Sequence, residues 1–156
     1  MNIKRKRPLY IFDLDGTLAN IEHRRHFVSR EHHKNWHAFY QACDRDTPID
    51  GVVSTYHSLL EAGCDCVIWS GRQDVVREKT ELWLSRQCGI NIEYPYLLMR
   101  PEGVSTPDAK LKQQWLVDML EEDRERLVGV FDHRNKVVEM WRKAGLVCFQ
   151  AAPGDF

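Results

Sequence analysis

Asp13 and Asp15 are two carboxylates at i and i+2 that follow directly on an apolar run. The stretch is PLYIFDLDGTL: Leu9, Tyr10, Ile11 and Phe12 lead into Asp13, Leu14 separates it from Asp15, and Gly16 and Thr17 follow. A short, continuous apolar run suits a strand buried on both faces. Two carboxylates where such a strand ends, before a glycine turn, are costly to hold together unless something binds them. A divalent cation is the natural partner, because hard cations take carboxylate oxygens. Asp13 then stands where a metal and a phosphate can both reach it, which makes it a candidate nucleophile as well as a metal ligand. The alternative is a solvated, Asp-rich turn. The rest of the chain weighs against it by supplying complementary groups in a workable order.

Phosphoryl transfer to a carboxylate needs a nucleophile, an acid for the leaving oxygen, a cation to neutralise charge, and donors for the equatorial oxygens. Asp15 is placed to protonate the leaving oxygen and later to activate water, and it counts as a second metal ligand. Ser70 offers a hydroxyl and Gly71 an unhindered backbone approach. Lys112 can hold a phosphate oxygen and offset the charge of Asp13. Thr17 is grouped with these three on the substrate side. Asp132 can complete the metal site, with His133 beside it. Taken singly, Asp15 could be a turn residue, Ser70 a helix cap and Lys112 part of a solvated helix face; their order along the chain is what makes them a set.

Those residues need a frame that brings them to one edge. Strand one covers 8–13, and a polar, His-rich segment spans about 19–48. A helical pattern at 50–62 stops at Gly63, strand two is Cys66–Trp69, and a helix at 73–87 ends at Gly89. Strand three lies near Tyr94–Met99, and RPEGVSTP at 100–107 is a loop. Asp108 reads as the N-cap of a helix running to about 122. Strand four is Leu127–Phe131, a helix covers 135–143 with Gly145 as its stop, and strand five is Leu146–Gln150. Alternating strands and helices imply a parallel sheet covered on both faces. Ligands of such sheets sit at the carboxyl ends of the strands. Strand one ends in Asp13-Leu14-Asp15, strand two in Ser70-Gly71-Arg72 and strand four in Asp132-His133-Arg134, so the polar groups collect where the fold expects them.

The 156 residues fit one domain, 1–156, in which about 19–48 forms a small cap insertion. With 22 Lys plus Arg against 23 Asp plus Glu, net charge argues neither for nor against nucleic acid, and any basic footprint must be local. No apolar run is long enough to span a membrane and no secretory segment is visible, so a soluble, cytoplasmic protein is expected. The N-terminal MNIKRKRP is basic but too short for a targeting signal. The five cysteines are an odd number without ligand-like spacing; Cys64 and Cys66 share one face of a predicted strand, and all five read as reduced core residues. Five of the seven histidines (His23, His26, His32, His33 and His37) fall in the insertion. With no cysteine pair nearby, they read as a polar helical cap rather than a zinc site. Trp36, Phe39 and Tyr40 read as the core of that cap rather than as a base-stacking platform.

FDLDGTL, WSG, the helical Lys112 and the FD of Phe131–Asp132 resemble, in order, the four motifs of the haloacid dehalogenase (HAD) superfamily. SGR at Ser70–Arg72, VVEMWRKAG at 137–145 and GDF at Gly154–Phe156 are similar to the 3′-phosphatase domain of tailed-phage polynucleotide kinase-phosphatase. The similarity covers nearly the whole chain, with the insertion matching least. It implies an α/β fold: a Rossmann-like HAD core with a five-stranded, mainly parallel sheet, helices on both faces and a small helical insertion after strand one. It implies a Mg2+-dependent phosphomonoesterase that works through an aspartyl-phosphate on the 3′-phosphate of DNA or RNA ends, with 2′,3′-cyclic phosphate as a further substrate. Arg24, eleven positions after Asp13, and Arg72, two after Ser70, match family arginines and are implied to contact the substrate phosphate or the adjoining backbone. The implied partners are a homo-oligomer and a separate kinase or ligase of a repair pathway, in the host cytoplasm if the chain is phage-encoded.

Two departures matter. No GxxxxGK[ST] occurs, so 5′-kinase activity is not expected of this chain. The family pairs two acids at the fourth motif, whereas here Asp132 is followed by His133, which leaves Mn2+ or Co2+ as alternatives to Mg2+. The rival readings are a small-molecule phosphatase such as a nucleotidase and a non-catalytic HAD module that binds ends or partners.

Overall fold

The computed structural model describes residues 6–29 and 33–155; the start of the basic N-terminal run, His32 and Phe156 lie outside them. The elements, in order, are β1 (Leu9–Phe12), β2 (Ala19–Asn20), α1 (Trp36–Gln41), β3 (Thr47–Pro48), α2 (Asp50–Glu61), β4 (Asp65–Gln73), α3 (Arg77–Cys88), β5 (Leu97–Arg100), α4 (Asp108–Asp118), α5 (Glu121–Arg126), β6 (Leu127–Asp132), α6 (Asn135–Lys143) and β7 (Cys148–Gln150). Five strands form one sheet in the order β5-β4-β1-β6-β7, and every ladder in it is parallel. The α/β fold and five-stranded parallel sheet expected from the sequence are therefore present.

β1 lies at the centre because it is apolar on both faces. Its side chains alternate between two cores. Leu9 and Ile11 pack with Trp69, Leu116, Leu127, Val130, Val137, Val138 and Trp141, beneath α4 and α6. Phe12 packs on the other side with Tyr56, Trp83 and Leu84, beneath α2 and α3. From β1 the chain winds outward to β4 and β5, then returns across β1 to β6 and β7. The strand order thus reverses between β1 and β6, and ligands bind at the carboxyl edge of such a reversal. Asp13 follows β1, and Asp132 ends β6.

The insertion is closed at its base by β2 pairing antiparallel with β3. Between them lie a 3-10 helix at Glu22–Phe27, α1, and a second 3-10 helix at Ala42–Arg45. All five cysteines are buried free thiols. Among the described residues no helix is long and apolar enough to cross a membrane.

Element ends shift by a few residues from expectation, and three differences stand out. β4 continues past Trp69 to Gln73, with a register shift between Ser70 and Gln73; a bulge of this kind re-aims side chains at a strand end. The helix from Asp108 stops at Asp118, Met119 and Leu120 are extended, and α5 follows. Asp108 is not a cap: it is the first helical residue, after Pro107, and no side chain caps that helix.

Gly16 turns the chain after β1 with φ +82°, and a Cβ there would lie 2.3 Å from His133 Nε2. Gly63, after α2, has φ +84° with nothing within 4 Å of a would-be Cβ. The pair separates backbone cost from packing cost. Gly63→Ala should lose about 1–2 kcal/mol from the left-handed backbone alone, and Gly16→Ala clearly more, read as the difference between their urea unfolding free energies. Equal losses would mean that the imidazole moves aside freely.

Candidate active site

Asp13 is locked to the sheet by its own N–H, which donates to Phe131 O at 2.8 Å. Lys112 Nζ donates to its Oδ1 at 2.7 Å, Thr17 Oγ1 donates to Oδ2 at 2.9 Å, and His133 Nδ1 lies 3.2 Å from Oδ2. Lys112, only 1% exposed, also reaches Asp132 Oδ2 at 2.9 Å. That oxygen accepts from Trp141 Nε1 as well, at 3.1 Å, while Oδ1 accepts the backbone N–H groups of His133 at 2.8 Å and Arg134 at 3.4 Å. The apolar face of α6 thus carries the tryptophan that aims Asp132. Burial opposes charge on Asp13, but Lys112 and then His133 outweigh it and hold the carboxyl well below the usual range. Burial and the charge of Asp13 push Asp132 upward, against Lys112. Burial also lowers Lys112, yet the two carboxylates keep it charged. The result is an anionic Asp13 held in one orientation.

Asp15 faces the other way. Arg24 Nη2 donates to its Oδ1 at 2.7 Å, and Arg72 Nη2 donates to the same oxygen. Both arginines also grip Asp46: Arg24 through Nε and Nη2 at 2.6 Å each, and Arg72 through Nη2 at 3.0 Å. His23 Nε2 lies 2.8 Å from Asp46 Oδ1, and Trp83 Nε1 donates to Asp46 O at 2.7 Å. Arg72 is fixed further by Thr80 Oγ1, which accepts from Nη1 at 3.0 Å, and by Ser70 Oγ, which accepts the Arg72 backbone N–H at 3.1 Å. Two guanidiniums and two carboxylates therefore form a neutral buried box. Burial pushes Asp15 up, but Arg24 and Arg72 bring it down to about 2.

Both motifs open onto one cavity of about 320 Å³. Asp13, Asp15, Gly71, Arg72, Asp132 and His133 line it. Thr17, Arg24, Ser70 and Lys112 are not on its wall; each is buried behind it and hydrogen-bonded to a residue that is. Arg24, implied to contact substrate, is 0% exposed here and holds Asp15 and Asp46. The sequence reading also missed residues. Asp46 backs both arginines, and Asp108 accepts from Arg100 Nη2 through Oδ1 and from Arg134 Nη1, at 2.8 Å, through Oδ2. Gly71 makes room for that carboxylate, since a Cβ there would lie 2.2 Å from Asp108 Oδ1. Trp36, Phe39 and Tyr40, read as cap core, also line the cavity, and Trp36 is 40% exposed.

Asp13, Asp132 and His133 present ligand atoms within 4.8 Å of one another, a donor set of two hard oxygens and one imidazole nitrogen that fits a divalent ion. The Asp15 carboxylate, expected among the ligands, is turned to the arginines and is not part of that group. In the His-rich insertion, His23 pairs with Asp46 and the His26 ring lies 4.0 Å from that of Phe27.

Residues 7–156 match the sequence model of the polynucleotide kinase PNKP phosphatase domain. Two chains from structures of the Pnkp1/Rnl/Hen1 RNA repair complex are similar to this one, each with a TM-score of 0.77. They are 28% and 29% identical, over 96% and 97% of this chain but only 44% and 48% of their own lengths. The chain thus spans less than half of those relatives. CbbY from Rhodobacter sphaeroides, in complex with phosphate, shares the fold at 16% identity, with a TM-score of 0.61 over 97% of this chain and 88% of that one. A match running from residue 7 to the last residue, with the four-motif edge built as described, shows that the chain belongs to the HAD phosphatases of the polynucleotide kinase PNKP phosphatase-domain family.

Proposed function

We propose that this chain removes the 3′-phosphate, and 2′,3′-cyclic phosphate, from DNA or RNA ends through an aspartyl-phosphate on Asp13, with Mg2+ as its cofactor. The observation that carries the chemistry is Asp13 itself: buried yet anionic, oriented by Lys112 and Thr17, and exposed to the cavity. The substrate class is supported by membership of the PNKP phosphatase-domain family and by likeness to chains of an RNA repair complex. The insertion at about 19–48 serves as a small cap over the site.

Asp13 attacks phosphorus, the bond to the sugar oxygen breaks, and that oxygen takes a proton from Asp15. Water then attacks phosphorus, gives its proton back to Asp15, and the bond to Asp13 breaks to release phosphate. In the resting arrangement the arginines keep Asp15 ionised. A phosphate in the cavity competes with Asp15 for Arg72, which lines it. Once that pairing weakens, burial dominates and the carboxyl can carry the proton it must donate. A divalent ion held by Asp13, Asp132 and His133 would offset the charge of the phosphate.

The deciding experiment is phosphate release, with and without added Mg2+, from 3′-phosphate, 5′-phosphate and cyclic-phosphate oligonucleotides beside free nucleotides. Activity confined to free nucleotides would favour a small-molecule phosphatase, and none at all a binding module. Asp13→Asn should reduce turnover on the order of a thousandfold or more; near-wild-type activity would sink the covalent route. Asp15→Asn should slow release of a sugar hydroxyl far more than release of an activated aryl alcohol, whose oxygen needs little protonation. Taking the ratio between substrates cancels any loss of stability in the arginine box, and equal losses would remove Asp15 from the acid role. Replacing His133 by Asp adds a negative charge beside Asp13. The His133→Asp variant should lower the Mg2+ concentration for half-maximal activity and narrow the preference between Mg2+ and Mn2+. Unchanged titrations for both ions would leave Asp13 and Asp132 as the ligands that matter.

A further inference from the structure

The cavity is larger than its chemistry requires. At about 320 Å³ it falls in the range of small-ligand sites, roughly 300–1,000 Å³, whereas the reacting phosphate alone fills only a fraction of it. The lining is also divided by chemistry. One part is the charged edge of the sheet; another is Ile21, Trp36, Phe39 and Tyr40, all from the insertion.

These rings are organised as a wall. Phe39 is buried, and the Arg24 guanidinium lies 4.2 Å from its centroid. Arg24 in turn holds Asp15, so the aromatic group is two contacts from the reacting edge. Tyr40 is buried, and its hydroxyl sits 3.5 Å from Gly71 O. Trp36 lies over Tyr40 at 5.9 Å with planes 27° apart, and meets Phe39 edge-on at 5.7 Å and 87°. Asn35 Oδ1 accepts the Ala38 N–H at 3.0 Å, which caps the start of α1 and fixes where Trp36 stands. Phe39 and Tyr40 therefore support Trp36, which lines the cavity and is 40% exposed overall, with Lys34 Nζ 5.7 Å from its ring. A braced, half-exposed indole beside a charged site is suited to a flat, apolar ligand surface.

We infer that Trp36, supported by Phe39 and Tyr40, stacks the base of the terminal nucleotide whose 3′-phosphate meets Asp13. This rests on the 3′-phosphatase reading above. Every base has a π-face, so such a wall accepts any of the four and confers a requirement for a base rather than for a sequence.

The test compares an oligonucleotide 3′-phosphate with the same oligonucleotide whose terminal nucleotide is abasic, and a nucleoside 3′-monophosphate with abasic sugar 3-phosphate. Wild-type enzyme should show kcat/KM about ten- to a hundredfold lower without the base, mainly through KM, in both the chain-end and free-nucleotide arms. Trp36→Ala should bring base-bearing and abasic substrates to within about threefold of each other, and Trp36→Phe should restore most of the difference. The wild-type comparison needs no variant, so a folding defect in Trp36→Ala leaves it decisive. Equal wild-type kinetics on abasic and base-bearing ends would overturn the stacking while leaving the 3′-phosphatase intact. Undiminished discrimination in Trp36→Ala would also overturn it, by placing the base elsewhere. No phosphate release from any 3′-phosphate would remove the 3′-phosphatase reading, and the stacking with it.

Discussion

Asp13 and Asp132 stand on either side of the point where the strand order reverses, and one ammonium, Lys112 Nζ, is within hydrogen-bond reach of both. Two carboxylates buried this close repel each other unless a cation sits between them or one takes a proton. Breaking a buried pair of this kind costs on the order of 3–5 kcal/mol, so the arrangement is demanding. The rest of the frame answers that demand. β1 supplies an apolar strand that carries Asp13 into the interior, α4 delivers the lysine, and α6 supplies the Trp141 N–H that completes the shell of Asp132. The lysine neutralises one of the two charges, and the remaining negative charge is what makes the edge attractive to a divalent ion.

A second buried charge cluster sits beside the first and is balanced within itself. Arg24 and Arg72 face Asp15 and Asp46, and none of the four depends on solvent for neutrality. Planar guanidiniums suit this, since each can serve two carboxylates at once. The two clusters are joined by the short turn Asp13-Leu14-Asp15. A carboxylate kept anionic by Lys112 and one whose charge depends on what the arginines hold therefore coexist two residues apart.

Much of this was legible in the chain. β1, β6 and α6 announce themselves by continuous apolar runs or a helical pattern with a glycine stop, and the polar residues that end those strands are the ones that line the cavity. The extension of β4 was not legible, because Ser70-Gly71-Arg72 is polar and glycine-containing and reads as a turn. Across the register shift Gln73 still pairs with Arg100 of β5, whose Nε also donates to Gly71 O at 2.8 Å. The break between α4 and α5 contains neither proline nor glycine, so the pattern of charges and leucines runs straight through it. In the sequence Asp46 is one acid among several near the end of a polar segment. Its importance comes from Arg24, Arg72, His23 and Trp83, which only folding brings together. Asp108 was misread because an acid at a helix start has a common local use, whereas here its partners, Arg100 and Arg134, come from two other parts of the chain.

The pairing of Ala19–Asn20 with Thr47–Pro48 ties the two ends of the insertion together where it leaves the core. Arg24 and Asp46 both lie within a few residues of that tie, close to the sheet. The span between them can therefore lengthen or shorten where it spares Phe39, whose carbonyl accepts from Arg24 Nη1 at 3.2 Å and whose ring lies 4.2 Å from that guanidinium. The entropic cost of doubling such a closed loop is only about 0.6 kcal/mol. With its ends tied, the outer part of the segment is free to vary what it touches while Asp13 and the ionic box keep their places.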